Sequence, residues 1–156
     1  MTVDEIAKMM DVSAVQAQST REDIDACCEL VAEYGCAAVF CLPAHVPYLR
    51  ARLDARGLKV PMASVSGFPG GAETPRTKAR TARELVGFGC DEVDMVNNIA
   101  WLKAGEKAAY VDDVAGVVEA AGGIRSLATL QALYDAGARR FGVGVNSARA
   151  ILAEIT

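Results

Sequence analysis

The stretch FGCDEVDMVNN, at residues 88–98, decides the fold of this chain. Gly89 comes shortly before an apolar run that ends in two asparagines. Glycine suits the left-handed backbone position just past a helix end, and a strand that follows at once is the helix-to-strand connection of a parallel sheet. The same order of glycine, small residue and apolar run recurs before residues 37–42 and before residues 139–145. The sequence therefore predicts an α/β fold with parallel strands.

Five strands are predicted by this pattern, with helices between them that each carry one apolar stripe. In the first long helix the apolar residues from Ile24 to Val31 fall at the i, i+3, i+4 and i+7 positions. Ser19 and Thr20 precede it, with Glu22 and Asp23 placed for N-capping. The predicted strands are residues 9–15, 37–42, 60–66, 92–97 and 139–145, and a turn-rich segment after the third leads to Pro75 at the start of a helix.

The alternation of helices and strands fails at one place. A helical pattern that includes Val111 is predicted to end near Ala121. Only Gly122-Gly123-Ile124-Arg125 separates it from the next helical pattern, which starts at Ser126. A strand is therefore predicted to be missing there, which suggests that whole βα units have been removed.

Length and composition predict one folded domain, covering residues 1–156. The chain is 52% apolar and 23% charged, and its 156 residues are too few for an eight-unit βα barrel of about 250 residues. The net charge of −4 argues against nucleic acid or an anionic membrane surface as a partner. The start of the chain lacks the pattern of a signal peptide and no apolar run is long enough to span a membrane, so we expect a cytoplasmic protein.

The five cysteines give no indication of a metal site. They form no C-x-x-C pair, and the single histidine, His45, has none of the usual zinc spacings. We expect the thiols to be reduced and mostly buried.

These segments together resemble the deoxyribose-phosphate aldolases. The resemblance runs from Ile6 to about Ala121, and the tail is similar to the last two units of the same barrel. It implies a TIM-type barrel that cleaves or makes 2-deoxyribose 5-phosphate through a lysine Schiff base, with neither metal nor other cofactor. The segments that carry it are IAKMMDVSAV, AAVFCLPAHVP, SGFPGG, GCDEVDMVNNIAWLKAG and GGIRSLATLQALYDAGARRFGVGVNSARAIL.

The lysines of that family have no counterpart in this chain. The Schiff-base lysine lies in a Lys-Thr-Ser/Thr-Gly strand that is absent here, and a second lysine is replaced by Ala120-Ala121. The chain is accordingly predicted to lack about three internal βα units. The remaining lysines are expected to be solvated charges on helices or loops, namely Lys8, Lys59, Lys78, Lys103 and Lys107.

Two aspartates are the candidate acid/base residues. Asp94 takes the place of the family's proton-relay aspartate, and Asp11 matches its Asp-x-Thr strand. The alternative is that both merely accept hydrogen bonds from neighbouring backbone, or that Asp94 caps a helix. Cys41 is shifted by one position from the family's cysteine, which puts it on the other face of its strand and predicts a core residue.

Two glycine turns are the candidate phosphate site. In the family, the turn at Gly122 and Gly123 binds the substrate phosphate, and backbone N–H groups at a following helix start would serve that purpose. A second cradle is predicted at Gly144, Asn146 and Ser147. The alternative is that the glycines only permit tight turns and that Ser147 is an ordinary N-cap.

Five strands in the family's order form an open arc, with residues 92–97 and 139–145 at its edges. Exposed parallel edges are normally covered, so we expect a homo-oligomer, most simply a two-fold dimer in which one edge meets the other and completes the barrel. Two functions remain open at this point. One is a non-catalytic βα scaffold that keeps a site for a phosphorylated small molecule. The other is an active carbon–carbon lyase, for which Asp94 and Asp11 would serve as acid and base.

Overall fold

A computed structural model describes residues 2–113, 120–121, 127–135 and 141–154. Within these ranges the chain forms one sheet of six strands in the order β4-β3-β2-β1-β6-β5, and every pairing is parallel. The strands are β1 (Met10–Ala14), β2 (Ala38–Cys41), β3 (Met62–Ser66), β4 (Glu92–Met95), β5 (Ala120–Ala121) and β6 (Phe141–Gly144). The helices are α1 (Val3–Ala7), α2 (Arg21–Tyr34), α3 (Val46–Ala55), α4 (Pro75–Gly87), α5 (Ile99–Ala104), α6 (Lys107–Asp113), α7 (Leu127–Asp135) and α8 (Val145–Ala153).

The five predicted strands and their order are confirmed, and so is the fold class, a partial parallel βα barrel. The prediction of a helix ending near Ala121 with no strand after it is wrong. Helix α6 is described from Lys107 to Asp113, and Ala120–Ala121 pairs with Phe141–Gly142 as a short strand. Alanine favours helices by itself, but the backbone of β6 offers hydrogen bonds that override this local preference.

The helix boundaries follow from local chemistry that the sequence displays. Thr20 caps α2 by accepting from the Asp23 amide, and the Asp23 carboxylate accepts from the Thr20 amide in return. Gly35 ends the same helix at φ +67°, in the left-handed region that glycine tolerates. Helix α4 begins at the predicted Pro75, after Thr74 as its N-cap.

The two faces of the sheet have different surroundings. On one face, Met10, Val12 and Ala14 of β1 belong to a large cluster that includes the apolar stripes of α2, α3 and α8. On the other face, which we call the inner face, lies a small cluster made of Ala38, Phe40, Ala63 and Val65. Because side chains alternate along a strand, Asp11, Ser13, Glu92 and Asp94 also belong to the inner face. None of the helices in the described ranges combines the length and apolarity that a membrane crossing requires.

Candidate functional site

The two candidate aspartates lie on the inner face but on strands that are not neighbours. Asp94 is the last but one residue of β4, pairs with Val65 of β3 and is half-buried. Asp11 of β1 is only 1% exposed. With β2 and β3 between them and about 4.8 Å per strand, the sheet does not place the two carboxylates side by side. An acid/base role for either residue stays a prediction.

The strand β6 places glycines next to the inner-face residues of β1. Asp11 pairs with Gly142 and Ser13 pairs with Gly144, so the inner face of β6 carries no side chain at either position. Helix α8 begins at Val145, directly after the strand. The first N–H groups of a helix have no partner within the helix, and here they lie at the carboxyl end of a central strand.

The residues predicted to bind phosphate lie in different parts of the chain. Gly144 closes β6, while Asn146 and Ser147 lie in the first turn of α8. Ser147 is the third residue of that helix, so its interpretation as an N-cap is wrong. Gly122 and Gly123 lie outside the described residues. The binding of phosphate at either turn stays a prediction.

Lys78 is the residue that sequence reasoning misjudged. It is 1% exposed, although it was predicted to be a solvated charge, whereas Lys8, Lys59, Lys103 and Lys107 are exposed as expected. The spacing between Lys78 and Leu85 is the sequence pattern that indicates its burial. Residues seven apart share a helix face, and these two are the buried residues of α4. The Ser66 hydroxyl donates to the Lys78 carbonyl at 3.0 Å and fixes this part of α4 against β3.

The Lys78 side chain lies across the turn that follows β3. A Cβ added to Gly67 would lie 3.0 Å from Lys78 Cε and 3.2 Å from the Val96 carbonyl oxygen. The long stem of Lys78 therefore fills the space that a side chain at Gly67 would need. It reaches the carboxyl end of β3, where the chemistry of parallel βα barrels is concentrated.

The SGFPGG motif forms a tight turn that packs directly on the end of β4. Gly67 and Gly71 have φ of +72° and +67°, and the Gly71 amide donates to the Gly67 carbonyl at 2.6 Å. A Cβ added to Gly71 would overlap the Asn97 carbonyl oxygen. The next residue, Asn98, is buried. Its side-chain oxygen caps α5 by accepting hydrogen bonds from the Ala100 and Trp101 amides. The ends of β3 and β4 are thus closed by backbone contacts that only glycine permits.

The cysteines offer no nucleophile at neutral pH. All five are buried, as predicted, and Cys41 belongs to the cluster on the helix-covered face. Burial raises the pKa of the Cys41 thiol to about 12 and those of Cys36 and Cys90 to about 11. These thiols are core residues.

A surface depression of about 570 Å³ lies at the opposite end of the sheet. Arg50, Lys59, Pro61 and Asp91 are among its lining residues, and they precede or begin β3 and β4 or belong to α3 and the loop after it. In parallel βα barrels this amino end of the strands serves stability, whereas the chemistry is concentrated at the carboxyl end.

The fold and the polar residues at the carboxyl ends of its strands define a partial βα barrel of the TIM type. No family model matches the chain. It is 30% identical to a deoxyribose-phosphate aldolase of Klebsiella pneumoniae over 221 aligned positions, which cover 99% of this chain and 89% of the relative. It is 40% identical to a deoxyribose-phosphate aldolase of Methanothermobacter thermautotrophicus over 121 residues, 78% of this chain and 53% of the relative. The chain therefore belongs to the deoxyribose-phosphate aldolase family.

Structure comparison shows the same fold. The deoxyribose phosphate aldolase of Aeropyrum pernix, which is described as tetrameric, superposes with a TM-score of 0.77 at 18% identity, over 98% of this chain and 92% of that one. The alignment with the Klebsiella protein needs 221 positions, whereas this chain has 156 residues. The chain is thus a shortened member of its family, and it spans about half the length of the Methanothermobacter relative in their alignment.

Proposed function

We propose that this chain binds a phosphorylated aldehyde or sugar at the carboxyl ends of its strands but does not cleave it through a lysine Schiff base. The observation that carries the proposal is the composition of the sheet. None of the six strands that the structure describes contains a lysine. Schiff-base cleavage needs an amine that is held in a pocket and partly deprotonated there, and a strand position pointing to the inner face would supply both conditions.

The binding half of the proposal rests on β6 and α8. The glycines opposite Asp11 and Ser13 carry no side chain that would keep a ligand from the strand backbone. The N–H groups at the start of α8 are suited to a phosphate, because they have no partner within the helix and lie at the positive end of its dipole.

The test uses the full chain and 2-deoxyribose 5-phosphate. Calorimetry is expected to show saturable binding that inorganic phosphate weakens by competition. Borohydride reduction in the presence of the same sugar phosphate, followed by mass spectrometry, is expected to leave the protein mass unchanged. A covalent adduct would overturn the loss of the Schiff base, and the absence of binding would overturn the ligand site.

The buried Lys78 favours a second candidate function, an active carbon–carbon lyase. In that reaction the amine nitrogen adds to the substrate carbonyl carbon and water leaves, so that an iminium forms, and Asp94 or Asp11 would move the protons. Since Lys78 is 1% exposed, the turn at residues 67–71 would have to open before a substrate could reach the amine.

Two matched variants distinguish the candidates. If Lys78 is the nucleophile, borohydride trapping gives an adduct on the natural chain and on Lys59→Met, but none on Lys78→Met. Lys59 is an exposed lysine in the loop before β3, so it controls for nonspecific reduction of surface amines. Our first proposal expects no adduct on any of the three proteins.

A further inference from the structure

The ligand site that we propose lies within the sheet rather than at one of its edges. Beyond β6 comes β5, whose residues Ala120 and Ala121 pair with Phe141 and Gly142. The prediction that residues 139–145 form an edge is therefore wrong, and the predicted dimer contact at this strand is unsuitable, because that side of β6 is already paired. On its other side β6 pairs with β1, and β1 pairs with β2. The inner faces of β1 and β2 therefore decide how far a ligand at β6 can extend.

One row of inner-face residues runs across β6, β1, β2 and β3. Ser13 is the register partner of Gly144 on one side and of Phe40 on the other. Phe40 is in turn the partner of Ala63. In this row a single large side chain thus stands among glycine, serine and alanine. Two strand spacings of about 4.8 Å put the backbone of Phe40 roughly 9.6 Å from that of Gly144.

The packing of Phe40 divides the inner face into two parts. Phe40 is 4% exposed, and its neighbours in the small apolar cluster are Ala38, Ala63, Val65, Val15 and Leu42. The strand residues of this cluster belong to β2 and β3, whereas β1 presents Asp11 and Ser13 toward the glycines of β6. The buried ring therefore forms a wall between an apolar part of the inner face and the part that the glycines line.

The second strand shows why an aromatic ring stands at this place. Cys41 is shifted by one position from the family's cysteine and packs in the cluster on the helix-covered face. Phe40 consequently takes the inner-face position that the resemblance gives to a cysteine. Because a phenyl ring is much larger than a thiol, the space beside Ser13 is narrower than a cysteine would leave it.

We propose that Phe40 limits the length of the ligand, so that the site accepts a five-carbon sugar phosphate and rejects one that is a carbon longer. This inference rests on the proposed function, because it takes the phosphate to lie at the start of α8. From there the sugar chain extends over the glycines of β6 toward Ser13 and ends against the ring. The ring is tightly packed and apolar, so it neither gives way to an added carbon nor offers a hydrogen bond to an added hydroxyl.

Calorimetric titration of the full chain with two sugar phosphates tests this limit. 2-Deoxyribose 5-phosphate and 2-deoxyglucose 6-phosphate lack the same hydroxyl group and differ in length by a single CHOH group. The natural chain is expected to bind the shorter sugar at least about tenfold more tightly. Phe40→Ala removes the ring and is expected to bring the two dissociation constants to within about twofold of each other.

Val65→Ala is the matched control, because it shortens another member of the same cluster one strand further from β6. It should keep the preference of the natural chain. Removal of a buried ring can also destabilise the fold. Phe40→Leu is therefore the second variant, since it keeps an apolar side chain in the cluster, and it is expected to reduce the preference by about threefold. Circular dichroism identifies the variants that are folded.

The ratio of the two dissociation constants separates a length limit from a general loss of structure, because partial unfolding weakens the binding of both sugars alike. Three results would overturn the inference and leave the ligand site in place. They are equal binding of the two sugars by the natural chain, an unchanged preference in every folded Phe40 variant, and a preference that Val65→Ala loses as readily as Phe40→Ala does. A natural chain that binds neither sugar would overturn the proposed site and this inference together.

Discussion

The carboxyl ends of β3 and β4 are tightly packed around glycines, whereas near the carboxyl end of β6 glycines take the places of inner-face side chains. At β3 and β4 a glycine turn packs on the following backbone, and a buried lysine fills the space beneath it. At β6 the glycines leave the inner face without side chains beside Asp11 and Ser13. Glycine permits close packing in the first region, and in the second it leaves inner-face positions without a side chain. The first region holds the strands together, and the second is where we propose that a ligand binds.

The largest loss of stability is expected from Gly71→Ala, in the turn that packs on the ends of β3 and β4. The added Cβ would overlap the Asn97 carbonyl oxygen, and φ of +67° is unfavourable for alanine, so we expect a loss of about 2 to 4 kcal/mol in the free energy of unfolding. Urea denaturation followed by circular dichroism measures it. Gly70→Ala is the matched control, since its Cβ would meet nothing within 4 Å. Equal effects at the two glycines would show that the turn is not packed as described.

A smaller loss is expected from Lys78→Met, which keeps the length of the stem and removes the ammonium group. A buried ammonium group requires polar partners, which would stay buried without it in the variant, so we expect a loss of about 1 to 3 kcal/mol in the free energy of unfolding. The same denaturation measurement on Lys59→Met, an exposed lysine, should give a change within about 0.5 kcal/mol. A Lys78→Met variant as stable as Lys59→Met would mean that the lysine has no structural role in the turn.

The carboxyl end of β6 is tested by measuring ligand binding rather than protein stability. Gly144→Val places a side chain on the inner face beside Ser13, and we expect the dissociation constant for 2-deoxyribose 5-phosphate to rise about tenfold, because the ligand loses access to the strand. Isothermal titration calorimetry measures this change. Gly87→Ala, where the added Cβ meets nothing within 4 Å, is the control and should bind like the natural chain. Unimpaired binding by Gly144→Val would place the ligand elsewhere.

The smallest effect on stability is expected from replacing Asp25. This residue lies in α2 on the helix-covered side, so it serves as a reference away from both regions. Burial raises the pKa of its carboxyl group, but hydrogen bonds from Arg52 at 2.6 Å and Tyr48 at 3.1 Å outweigh burial and hold the pKa below its usual value. A lowered pKa in the folded state stabilises the protein above the unfolded-state pKa of about 3.9, and this contribution is lost as the pH falls through the folded-state pKa.

Asp25→Asn should therefore cost about 0.5 kcal/mol at pH 7, since the pair with Arg52 is about one-third exposed, and less at about pH 2.5, because protonation of the carboxylate removes part of this contribution. Thermal unfolding at the two pH values measures the difference. A loss of the same size at both would show that packing of the side chain, rather than its charge, is responsible.

The sheet could be predicted from the sequence because the connection from a helix to the next parallel strand has a recognisable local pattern. A glycine followed by a small residue comes shortly before β2, β4 and β6, and the strand order followed from the family resemblance. The short strand β5 was missed because two alanines carry no strand signal of their own, and only the partner β6 makes them extended.

The candidate site was predicted less completely than the fold. The positions of Asp94 and Asp11 on the inner face follow from alternation along the strands, but their separation depends on the strand order in three dimensions. Lys78 was misjudged because lysines on helices are usually solvated. Its burial depends on Gly67, a residue eleven positions earlier that provides the room for its stem, and such a pair is hard to recognise in one sequence.

The register of β1 has a consequence for the order in which the chain can assemble. β1 pairs with β2 on one side, but on the other side Met10 pairs with Phe141, near the opposite end of the chain. During synthesis β1, β2 and β3 can each pair with the strand that follows them while β6 has yet to leave the ribosome. One side of β1 therefore stays without its partner strand until almost the whole chain has been synthesised. Closing so long a loop delays this last pairing. We expect the pairing of β1 with β6 to be the slow step of folding, which hydrogen exchange during refolding would detect as late protection of the Val12 amide.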